Sequence, residues 1–384
     1  MHSFLIVITS AIALLWVLNA IDILRGVPKL PSISKMAPLE DDDCPFVSIL
    51  FAARDEEEKL PGALSKFLAL DYPSYEVVAA DDRSKDGTGE ILDSGARSDP
   101  RLKVAHITSL PAGWLGKPHA LQQAYEHSSG EWLVFTDADV HFSPDLLRRA
   151  VALAQREGWD HLTLLSSVEM HSVGEKIALT FFGMGFIIGV RPWRTNDPHS
   201  TGYAGVGAFQ LIRRRTYQAI GMHRRLAMEV VDDMKLGKLV KEGGFRSGVG
   251  KGWEEVRVRW HAGVGNIVRG TTKNFFAAAS YNLGLACSQL AVVLLLCVLP
   301  WVALPFLRGW ALLFDAIAVG VIIATHAGVS IEVGVSPLYA LTEPLGALIF
   351  AWMLARSTIV TLLNGGITWR GTFYPLEELK RGVV

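Results

Sequence analysis

The sequence predicts an α/β domain with a mostly parallel sheet, joined to one N-terminal and about three C-terminal transmembrane helices. Between residues 45 and 275, short apolar runs alternate with helical patterns, which is typical of the strand–helix–strand units that build parallel sheets. Long apolar runs lie near both ends of the chain, and 20% of the 384 residues are charged, whereas a soluble protein has about 25%. The chain therefore combines a sizeable polar domain with membrane segments.

Residues 3–24 form the first membrane segment, because Asp22 is their only charge and about 20 apolar residues cross a bilayer. The run is longer than the apolar part of a cleavable signal peptide, so we expect an anchor. Arg25, Lys29 and Lys35 follow it. Since basic residues stay on the cytoplasmic side, we expect the N-terminus outside and the next domain in the cytoplasm.

Three later apolar runs predict a C-terminal membrane region. Glu343-Pro344 lies in the last of them, which leaves open whether that run crosses fully, and the side of the C-terminal tail is also open. The three runs are 283–307, 310–329 and 338–363. We expect an anchor at 1–27, a linker at 28–45, the α/β domain at 46–276, the membrane region at 277–366 and a polar tail at 367–384.

A shorter apolar run at 177–190 has 14 residues, too few to span a membrane. Two interpretations stay open for it. It is either a helix buried in the core or an interfacial segment that admits an apolar substrate.

Polar residues follow four successive strands of the predicted sheet. Ligands of open α/β sheets bind beyond the carboxyl ends of the strands, so these residues are expected to converge on one site. The predicted strands are 47–53, 76–80, 102–107, 132–136 and 161–167, and the predicted helices are 56–70, 86–97, 117–128 and 143–157. The polar residues include Arg54 and Glu56, Asp81 and Asp82, Lys117, and Asp137 and Asp139.

Asp137 and Asp139 are expected to bind Mg²⁺ or Mn²⁺. In extended backbone, side chains two residues apart share a face, and divalent cations that take oxygen ligands often bridge a carboxylate to a diphosphate. The pattern alone is weak, since Asp41-Asp42-Asp43 in the linker also matches it. Its position after an apolar strand is what favours a functional role.

Asp81, Asp82 and Lys117 allow structural alternatives. The two acids could end a strand in an ordinary turn, although two adjacent acids beside an apolar strand are costly to bury unpaired. A carboxylate there could accept a hydrogen bond from a base or a ribose. Lys117 lies between glycine-rich residues, where it could contact a phosphate or be an ordinary surface lysine.

Asp232 and Asp233 precede an amphipathic helix, so either could cap it. Either could also act as a general base, because attack of a hydroxyl on an activated sugar needs one carboxylate within hydrogen-bond reach. A metal pair plus one separate acid is the inventory that such a transfer requires.

Composition and motifs exclude several other classes. The net charge of −1 disfavours bulk nucleic-acid binding, and three cysteines are too few for a disulfide framework. The sequence contains no nucleophile elbow, phosphate-binding P-loop or His-Glu-x-x-His zinc motif. Residues 40–100 hold 16 acidic and 6 basic side chains, which would repel a diphosphate unless a cation intervened.

Taken together, these segments resemble membrane-bound family 2 glycosyltransferases with a GT-A core. Within that family the chain is most similar to the ceramide-glucosyltransferase-like branch, including hopene-associated and carotenoid-type bacterial enzymes. The segments are FAARDEEE, AADDRSKDGT, GWLGKPHAL, FTDADV, GVGAFQLIRR and EVVDD, with GITWRG near the end. The resemblance implies a Rossmann-like catalytic domain on a bacterial-type inner membrane.

The resemblance also implies roles for individual residues. It places Asp139, with Asp137, at the metal and diphosphate, and Asp233 as the base with Asp232 beside it. It places Ala53, Arg54, Glu56, Asp81 or Asp82, Lys117 and Asp137 around the nucleotide sugar.

The chain departs from the family on the acceptor side. The Gln-x-x-Arg-Trp motif of processive members is absent, since Arg259-Trp260 lacks the Gln and Arg269-Gly270 lacks both Gln and Trp. We therefore expect a single transfer rather than polymer synthesis. Arg259 and Arg269 stay open as acceptor-side residues.

The expected function is inverting, metal-dependent transfer of a sugar from a nucleotide sugar, a UDP-sugar first of all, to a lipid hydroxyl. Two alternatives remain. The acceptor could be a polyprenyl phosphate, which needs no deprotonation at neutral pH, or the protein could bind nucleotide sugars without catalysis. The expected partners are the donor, a lipid acceptor and the membrane, and no nucleic acid.

Overall fold

The computed structural model describes residues 2–384, leaving aside the side chain of His2. The chain divides into two compact units. We name them the membrane unit and the catalytic unit, and each is described by itself. The membrane unit comprises 1–29, 170–191 and 260–367, and the catalytic unit comprises 30–169, 192–259 and 368–384.

An eight-stranded sheet forms the centre of the catalytic unit, in the order β3-β2-β1-β4-β7-β6-β8-β5. Its strands are β1 Val47–Ala53, β2 Tyr75–Asp82, β3 Leu102–Ile107, β4 Trp132–Asp137, β5 Val140–Phe142, β6 His161–Val168, β7 Gln210–Arg213 and β8 Ser247–Val258. A two-stranded hairpin follows near the end of the chain, β9 Gly366–Trp369 and β10 Thr372–Pro375.

Helices occur in both units. They are α1 His2–Gly26, α2 Leu60–Leu68, α3 Thr88–Ser98, α4 Gly116–Glu126, α5 Leu146–Glu157, α6 Val173–Val190, α7 Pro192–Thr195, α8 Arg214–Ala219, α9 Asp232–Glu242, α10 Val264–Thr271, α11 Phe275–Ala278, α12 Leu283–Val293, α13 Leu299–Ala303, α14 Gly309–Glu332, α15 Glu343–Asn364 and α16 Leu376–Arg381. A π-helical segment, Leu294–Val298, joins α12 to α13.

The predicted α/β class is confirmed. The first half of the sheet is parallel, since β1 pairs in parallel with β2 and β4, and β2 pairs in parallel with β3. β7 is antiparallel to both β4 and β6. β1, β2 and β4 are buried along nearly their whole length, as expected of parallel strands covered by helices on both faces.

This topology positions the candidate site residues. Because β1, β2, β3 and β4 run the same way, their carboxyl ends lie at one edge of the sheet. Ala53 pairs with Asp81, and Ala52 pairs with Asp137. The polar residues at the carboxyl ends of β1, β2 and β4, and just after them, therefore meet at that edge.

Among the described residues, 2–384, five helices are long and apolar enough to cross a membrane. The expected anchor and three C-terminal helices are among them, as Ser3–Lys29, Leu283–Phe306, Gly309–Glu332 and Pro337–Asn364. The fifth is Val173–Thr195, which corrects the expectation that the run at 177–190 is too short. Ser172 caps α6 by accepting from the Glu175 N–H at 3.2 Å, and this capping box starts the helix upstream of the apolar run.

Candidate active site

The loops after β1 and β2 are bound to each other by side chains. Glu56 N–H donates to Thr88 Oγ1 at 2.8 Å, and Gly87 N–H donates to Glu57 Oε2 at 2.7 Å. Asp55 adopts φ +52° and accepts from Lys85 N–H at 2.8 Å. These contacts hold the two loops as one wall, because each carboxylate or hydroxyl satisfies a backbone N–H of the other loop.

Asp82 is buried and already paired with cations. Arg83 Nε and Nη2 donate to its two oxygens at 2.7 and 3.0 Å, and Arg54 Nη1 lies 3.6 Å from Oδ2. The pKa of Arg83 is raised by its hydrogen bond to Asp82, and the Tyr374 hydroxyl adds to this shift. The pairing explains how an acid at the end of an apolar strand is tolerated.

Asp81 points to the other face of the strand. Its Oδ2 lies 3.1 Å from His106 Nδ1, and its Oδ1 accepts from Ser84 N–H at 3.3 Å. Asp93 contacts the other nitrogen of His106 at 2.9 Å, and these contacts raise the pKa of His106, Asp93 first.

Asp137 is the last residue of β4 and Asp139 follows the strand, and each contacts a lysine. Lys117 Nζ donates to Asp137 Oδ1 at 2.6 Å, and Lys59 Nζ donates to Asp139 Oδ2 at 2.7 Å. Lys117 comes from the second residue of α4, so two separate elements supply this ion pair. Burial acts to lower the pKa of Lys117, but the charges of Asp137, Asp232 and Asp233 outweigh it and raise that pKa.

Asp233 lies against the glycine-rich segment 202–207. Gly207 N–H donates to its Oδ2 at 3.0 Å, and Met234 N–H donates to its Oδ1 at 2.8 Å. A Cβ on Gly205 would lie 1.9 Å from the carbonyl oxygen of Asp233. Only glycine permits this close backbone approach, which holds the start of α9 against the segment.

Three charged groups surround the position that a Cβ of Gly207 would take. A Cβ built on it would lie 3.1 Å from Asp137 Oδ2, 3.3 Å from Asp233 Oδ2 and 3.7 Å from Lys117 Nζ. The carboxylate at the end of β4 and the carboxylate at the start of α9 therefore face the same small volume. The sequence separates them by 96 positions, and the fold brings them together.

Burial raises the pKa of both carboxyls. The pKa of Asp233 rises to about 6, first through burial and then through the charge of Asp232, while Lys117 opposes the shift. The pKa of Asp137 is also raised by burial and lowered in part by Lys117. A carboxylate with a pKa near 6 is a stronger base than an ordinary aspartate and is still ionised at neutral pH.

Asp232 is buried beside a histidine. His223 Nε2 lies 3.9 Å from Asp232 Oδ2, and His223 Nδ1 is 2.6 Å from the Tyr217 hydroxyl. Burial lowers the pKa of His223, and Asp232 opposes this.

The carboxylates of the site supply only part of the coordination that a divalent cation needs. Asp137 and Asp139 offer carboxylate oxygens, the ligands that Mg²⁺ and Mn²⁺ prefer. Within residues 2–384, however, no group of three His, Cys, Asp or Glu side chains is placed to hold a metal ion by itself. A cation held here would complete its coordination with substrate phosphate and water, as Mg²⁺ usually does.

Residues 48–214 match the family model described as Glycosyl transferase family 2. The chain carries a family 2 glycosyltransferase domain. The matched region begins in β1 and includes all the strand-end loops described above.

Curated relatives resemble parts of this domain. A beta-monoglucosyldiacylglycerol synthase of Trichormus variabilis is 39% identical over 115 residues, which are 29% of this chain and 24% of that protein. An undecaprenyl-phosphate 4-deoxy-4-formamido-L-arabinose transferase of Shewanella sediminis is 34% identical over 118 residues, 30% of this chain and 34% of that protein. The chain thus spans about a quarter to a third of the length of these relatives. Their names agree with the expected lipid-modifying branch of family 2.

A solved structure shares the fold. The mannosyltransferase of Pyrobaculum calidifontis, solved in complex with GDP-Man and Mn²⁺, superposes with a TM-score of 0.54 at 19% identity, covering 93% of this chain and 99% of that one. This confirms the expected GT-A architecture of the family 2 domain.

The structure does not bring all the predicted site residues together. Arg259 follows β8 in the catalytic unit, whereas Arg269 belongs to α10 of the membrane unit, where its Nη2 donates to Asn266 Oδ1 at 2.7 Å. The acceptor-side role of both arginines stays a prediction. Ala53 is fully buried at the end of β1, and its place beside the nucleotide sugar stays a prediction.

Sequence reasoning missed Lys59, Gly207 and the C-terminal hairpin. Lys59 lies three residues beyond Glu56 and could have been counted with that loop. Gly207 lies in the quoted GVGAFQLIRR segment, but no local signal pairs it with Asp233. Arg370 lies in the quoted GITWRG segment and contacts Glu56, a partner 314 positions away.

Proposed function

We propose that the protein is an inverting glycosyltransferase that moves one sugar from a nucleotide sugar, most simply a UDP-sugar, to a hydroxyl group of a membrane lipid. The transfer is non-processive, and the catalytic unit works on the cytoplasmic side of a bacterial-type inner membrane. The family 2 domain and the glycolipid synthase among its relatives support this proposal.

One observation carries the proposal. Asp137 Oδ2 and Asp233 Oδ2 both lie within 3.3 Å of one point, the position that a Cβ of Gly207 would take. A carboxylate that serves a metal and diphosphate is thereby next to a carboxylate that can serve as base. Direct displacement at a sugar carbon needs both groups at one place, since the acceptor attacks as the diphosphate leaves.

The reaction uses Asp233 as general base. The acceptor O–H gives its proton to Asp233, the acceptor oxygen bonds to the anomeric carbon, and the bond from that carbon to the diphosphate oxygen breaks. The electron pair of this bond leaves with the nucleoside diphosphate. The Gly207 and Met234 N–H groups hold both oxygens of Asp233, which fixes its orientation.

The neighbouring residues bind the donor. Lys117 keeps its positive charge and supplies it close to the diphosphate. Asp81 or Asp82, with Arg54 and Glu56, lines the nucleotide end, and Asp232 adds negative charge beside the base. Asp139, with Asp137, would hold Mg²⁺ or Mn²⁺, which would stabilise the charge on the leaving diphosphate.

A polyprenyl-phosphate acceptor is a second candidate, favoured by the undecaprenyl-phosphate transferase among the relatives. A phosphate oxygen is already ionised at neutral pH, so it needs no general base. The two candidates therefore differ in whether the reaction needs Asp233 as a general base.

The test is transfer activity of Asp233→Asn and Asp139→Asn in membranes. We expect each variant to lose at least about 100-fold in transfer, the usual range for a removed general base or charge stabiliser. Asp42→Asn is the matched control, because Asp42 is exposed in the linker. Immunoblots of the membranes check that all three variants accumulate equally.

The outcomes separate the candidates. Loss in both site variants supports a hydroxyl acceptor, whereas loss in Asp139→Asn alone points to a phosphate acceptor. Near-normal transfer by Asp139→Asn would refute the proposed site. Nucleotide binding without transfer from any donor would indicate a binding protein instead. Mass spectrometry of lipids from overexpressing cells identifies the product.

A further inference from the structure

The C-terminal segment 368–384 packs on the catalytic unit and is part of it. Tyr374 and Leu376 are buried, and Leu379 is fully buried. The segment contains the second strand of the β9–β10 hairpin and α16. Burial of this kind shows that it belongs to the folded catalytic unit rather than forming a loose tail.

The first part of this segment contacts the loops that follow β1, β2 and β3, which we name the donor loops. Arg370 forms an ion pair with Glu56 in the loop after β1. The Tyr374 hydroxyl accepts from Gly116 N–H at 3.3 Å, at the start of α4 and next to Lys117. The same hydroxyl interacts with Arg83 in the loop after β2 and raises the pKa of that arginine. One short hairpin thus touches each loop that follows β1, β2 and β3.

The far end of the segment reaches the residues that precede Asp233. Val384 N–H donates to Glu229 Oε1 at 2.5 Å, and Lys235 donates to the Val384 carbonyl oxygen. A Cβ on Gly382 would lie 2.3 Å from Met228 Cβ. The segment therefore extends from the donor loops to the element that carries the proposed base.

Arg370 occupies an unusual backbone position. It adopts φ +47° and Gly371 adopts φ +76°, as in a two-residue turn with both central residues left-handed. Asparagine or glycine is usual at the first of these positions, because other side chains pay an energetic cost there. A strained residue held by its surroundings is often found at a functional site.

The chemistry of Arg370 suits a diphosphate. A guanidinium group binds phosphate oxygens through two parallel N–H bonds, and the Arg370 side chain is 45% exposed. Its partner Glu56 lies in the same loop as Lys59, which donates to Asp139 Oδ2 at 2.7 Å. Burial raises the pKa of Glu56, Arg370 opposes this, and the charge of Asp139 adds to the rise. Arg370 is therefore paired with a carboxylate of the loop that also brings Lys59 to Asp139.

We propose that the C-terminal segment borders the donor site together with the loops after β1, β2 and β3, and that Arg370 binds the diphosphate. When the donor binds, the Arg370 side chain exchanges its ion pair with Glu56 for contacts with the donor's phosphate oxygens. Tyr374 anchors the hairpin to the α4 loop so that Arg370 stays in reach. This inference rests on the proposed function, because it presupposes a nucleoside diphosphate at Asp137 and Asp139.

The experiment measures nucleotide binding by the full chain in lipid nanodiscs with Mg²⁺, using isothermal titration calorimetry. The probes are UDP and GDP, with uridine and guanosine as the matching nucleosides. Arg370→Ala should weaken the preferred diphosphate about tenfold or more, the loss of a bidentate charged contact, and leave its nucleoside within about twofold. Arg370→Lys should keep part of the affinity because it keeps the charge.

Lys380→Ala is the matched control. Lys380 is a cation of the same segment, and its ion-pair partner, Glu377, lies in its own helix, so diphosphate affinity should not change. Equal diphosphate affinity in Arg370→Ala and the wild type would overturn the inference. So would an equal loss for nucleoside and diphosphate, since Arg370 would then only hold the loop. Binding of neither diphosphate by the wild type would instead refute the proposed function, and this inference with it.

Discussion

Asp233 illustrates how neighbouring residues prepare a single side chain for catalysis. An exposed aspartate is a weak base, because its pKa is about 4. Enclosure by the protein and the adjacent charge of Asp232 raise the pKa of Asp233 to about 6. The Gly207 N–H holds the carboxylate in one orientation. The basicity of the Asp233 carboxylate and its orientation thus depend on different neighbours, so a substitution can change one without the other.

The elevated pKa predicts a pH profile. General-base catalysis needs the ionised form, so kcat/KM should rise with pH below about 6 and level off above it. Asp232→Asn removes a negative neighbour that favours protonation, so the acid limb should move to lower pH. The measurement is kcat/KM between pH 4.5 and 8.

Asp42→Asn serves again as control, and its acid limb should coincide with that of the wild type. An acid limb that stays in place in Asp232→Asn would show that Asp232 does not act on the base. A profile without any acid limb near pH 6 would contradict the assignment of Asp233 as base.

At the scale of elements, the base depends on the contact between α9 and segment 202–207. A Cβ on Gly237 in α9 would lie 2.0 Å from the Ala204 carbonyl oxygen, and a Cβ on Gly205 would lie 1.9 Å from that of Asp233. Both obstacles are backbone atoms, which cannot rotate away. The two glycines therefore set how closely the helix and the segment approach each other.

Gly237→Ala should for this reason damage the site. Alanine ordinarily stabilises a helix relative to glycine by about 1 kcal/mol, but here the clash should separate α9 from the segment and cost about 1–3 kcal/mol net. The Gly207–Asp233 hydrogen bond should be lost, so transfer should fall more than tenfold, about the effect of misplacing a reacting group. Thermal unfolding and initial rates measure the two effects.

Gly62→Ala in α2 is the matched control. A Cβ on Gly62 has its nearest neighbour, the ring of His141, at 3.3 Å, and a side chain can move. Its melting temperature and activity should stay close to those of the wild type. If Gly237→Ala behaves like Gly62→Ala, the α9 contact does not position the base.

The elements differ in how well the sequence predicts them. β1 and β3 have the predicted bounds because they are short apolar runs between clear turn residues. β8 was not predicted, since Gly248, Gly250 and Gly252 hide its pattern. A Cβ on Gly248 would lie 2.2 Å from the ring of Trp159, so a distant tryptophan explains that glycine.

The residues of the candidate site also differ in whether the sequence predicts them. Asp137, Asp139 and Asp233 could be proposed from the sequence because strand ends and helix starts are visible in local patterns. Lys59 and Arg370 could not, because their partners are set by the packing of segments far apart in the chain. Local patterns report where a side chain leaves an element but not which distant segment meets it.

At the scale of the whole molecule, the chain path restricts the membrane topology. β6, before α6, and β7, after it, pair in one sheet. A single crossing by Val173–Thr195 would put these two strands on opposite sides of the membrane. We infer that this helix, although apolar enough to span, enters the membrane without crossing it. The interfacial interpretation of the sequence is the one this connectivity favours.

The same reasoning applies to the C-terminal membrane region. Residues 192–259 and 368–384 belong to one catalytic unit, so the chain between them crosses the membrane an even number of times. Three candidate spans lie there, and only two of them can be full crossings. Leu283–Phe306 is interrupted by a π-helical segment and by Pro300 and Pro305. In contrast, α14 is continuous over 24 residues and α15 over 22, with Pro344 confined to the first turn of α15.

We therefore predict that Gly309–Glu332 and Pro337–Asn364 cross the membrane and that Leu283–Phe306 does not. Single cysteines, placed in a chain whose three native cysteines are replaced, test this with a membrane-impermeant thiol reagent on intact cells and on inverted vesicles. Lys85→Cys, Arg308→Cys and Lys380→Cys should react only in inverted vesicles, and Gly334→Cys only in cells. Arg308 on the cytoplasmic side also agrees with the preference of basic residues for that side.

Each alternative gives its own labelling pattern. Reaction of Arg308→Cys in intact cells would mean that Leu283–Phe306 crosses after all. Reaction of Lys85→Cys and Lys380→Cys from opposite sides would contradict the even number of crossings itself. That result would also separate the hairpin from the donor loops in the native membrane, because Arg370 and Glu56 can form their ion pair only if the C-terminal segment and the catalytic unit share one side.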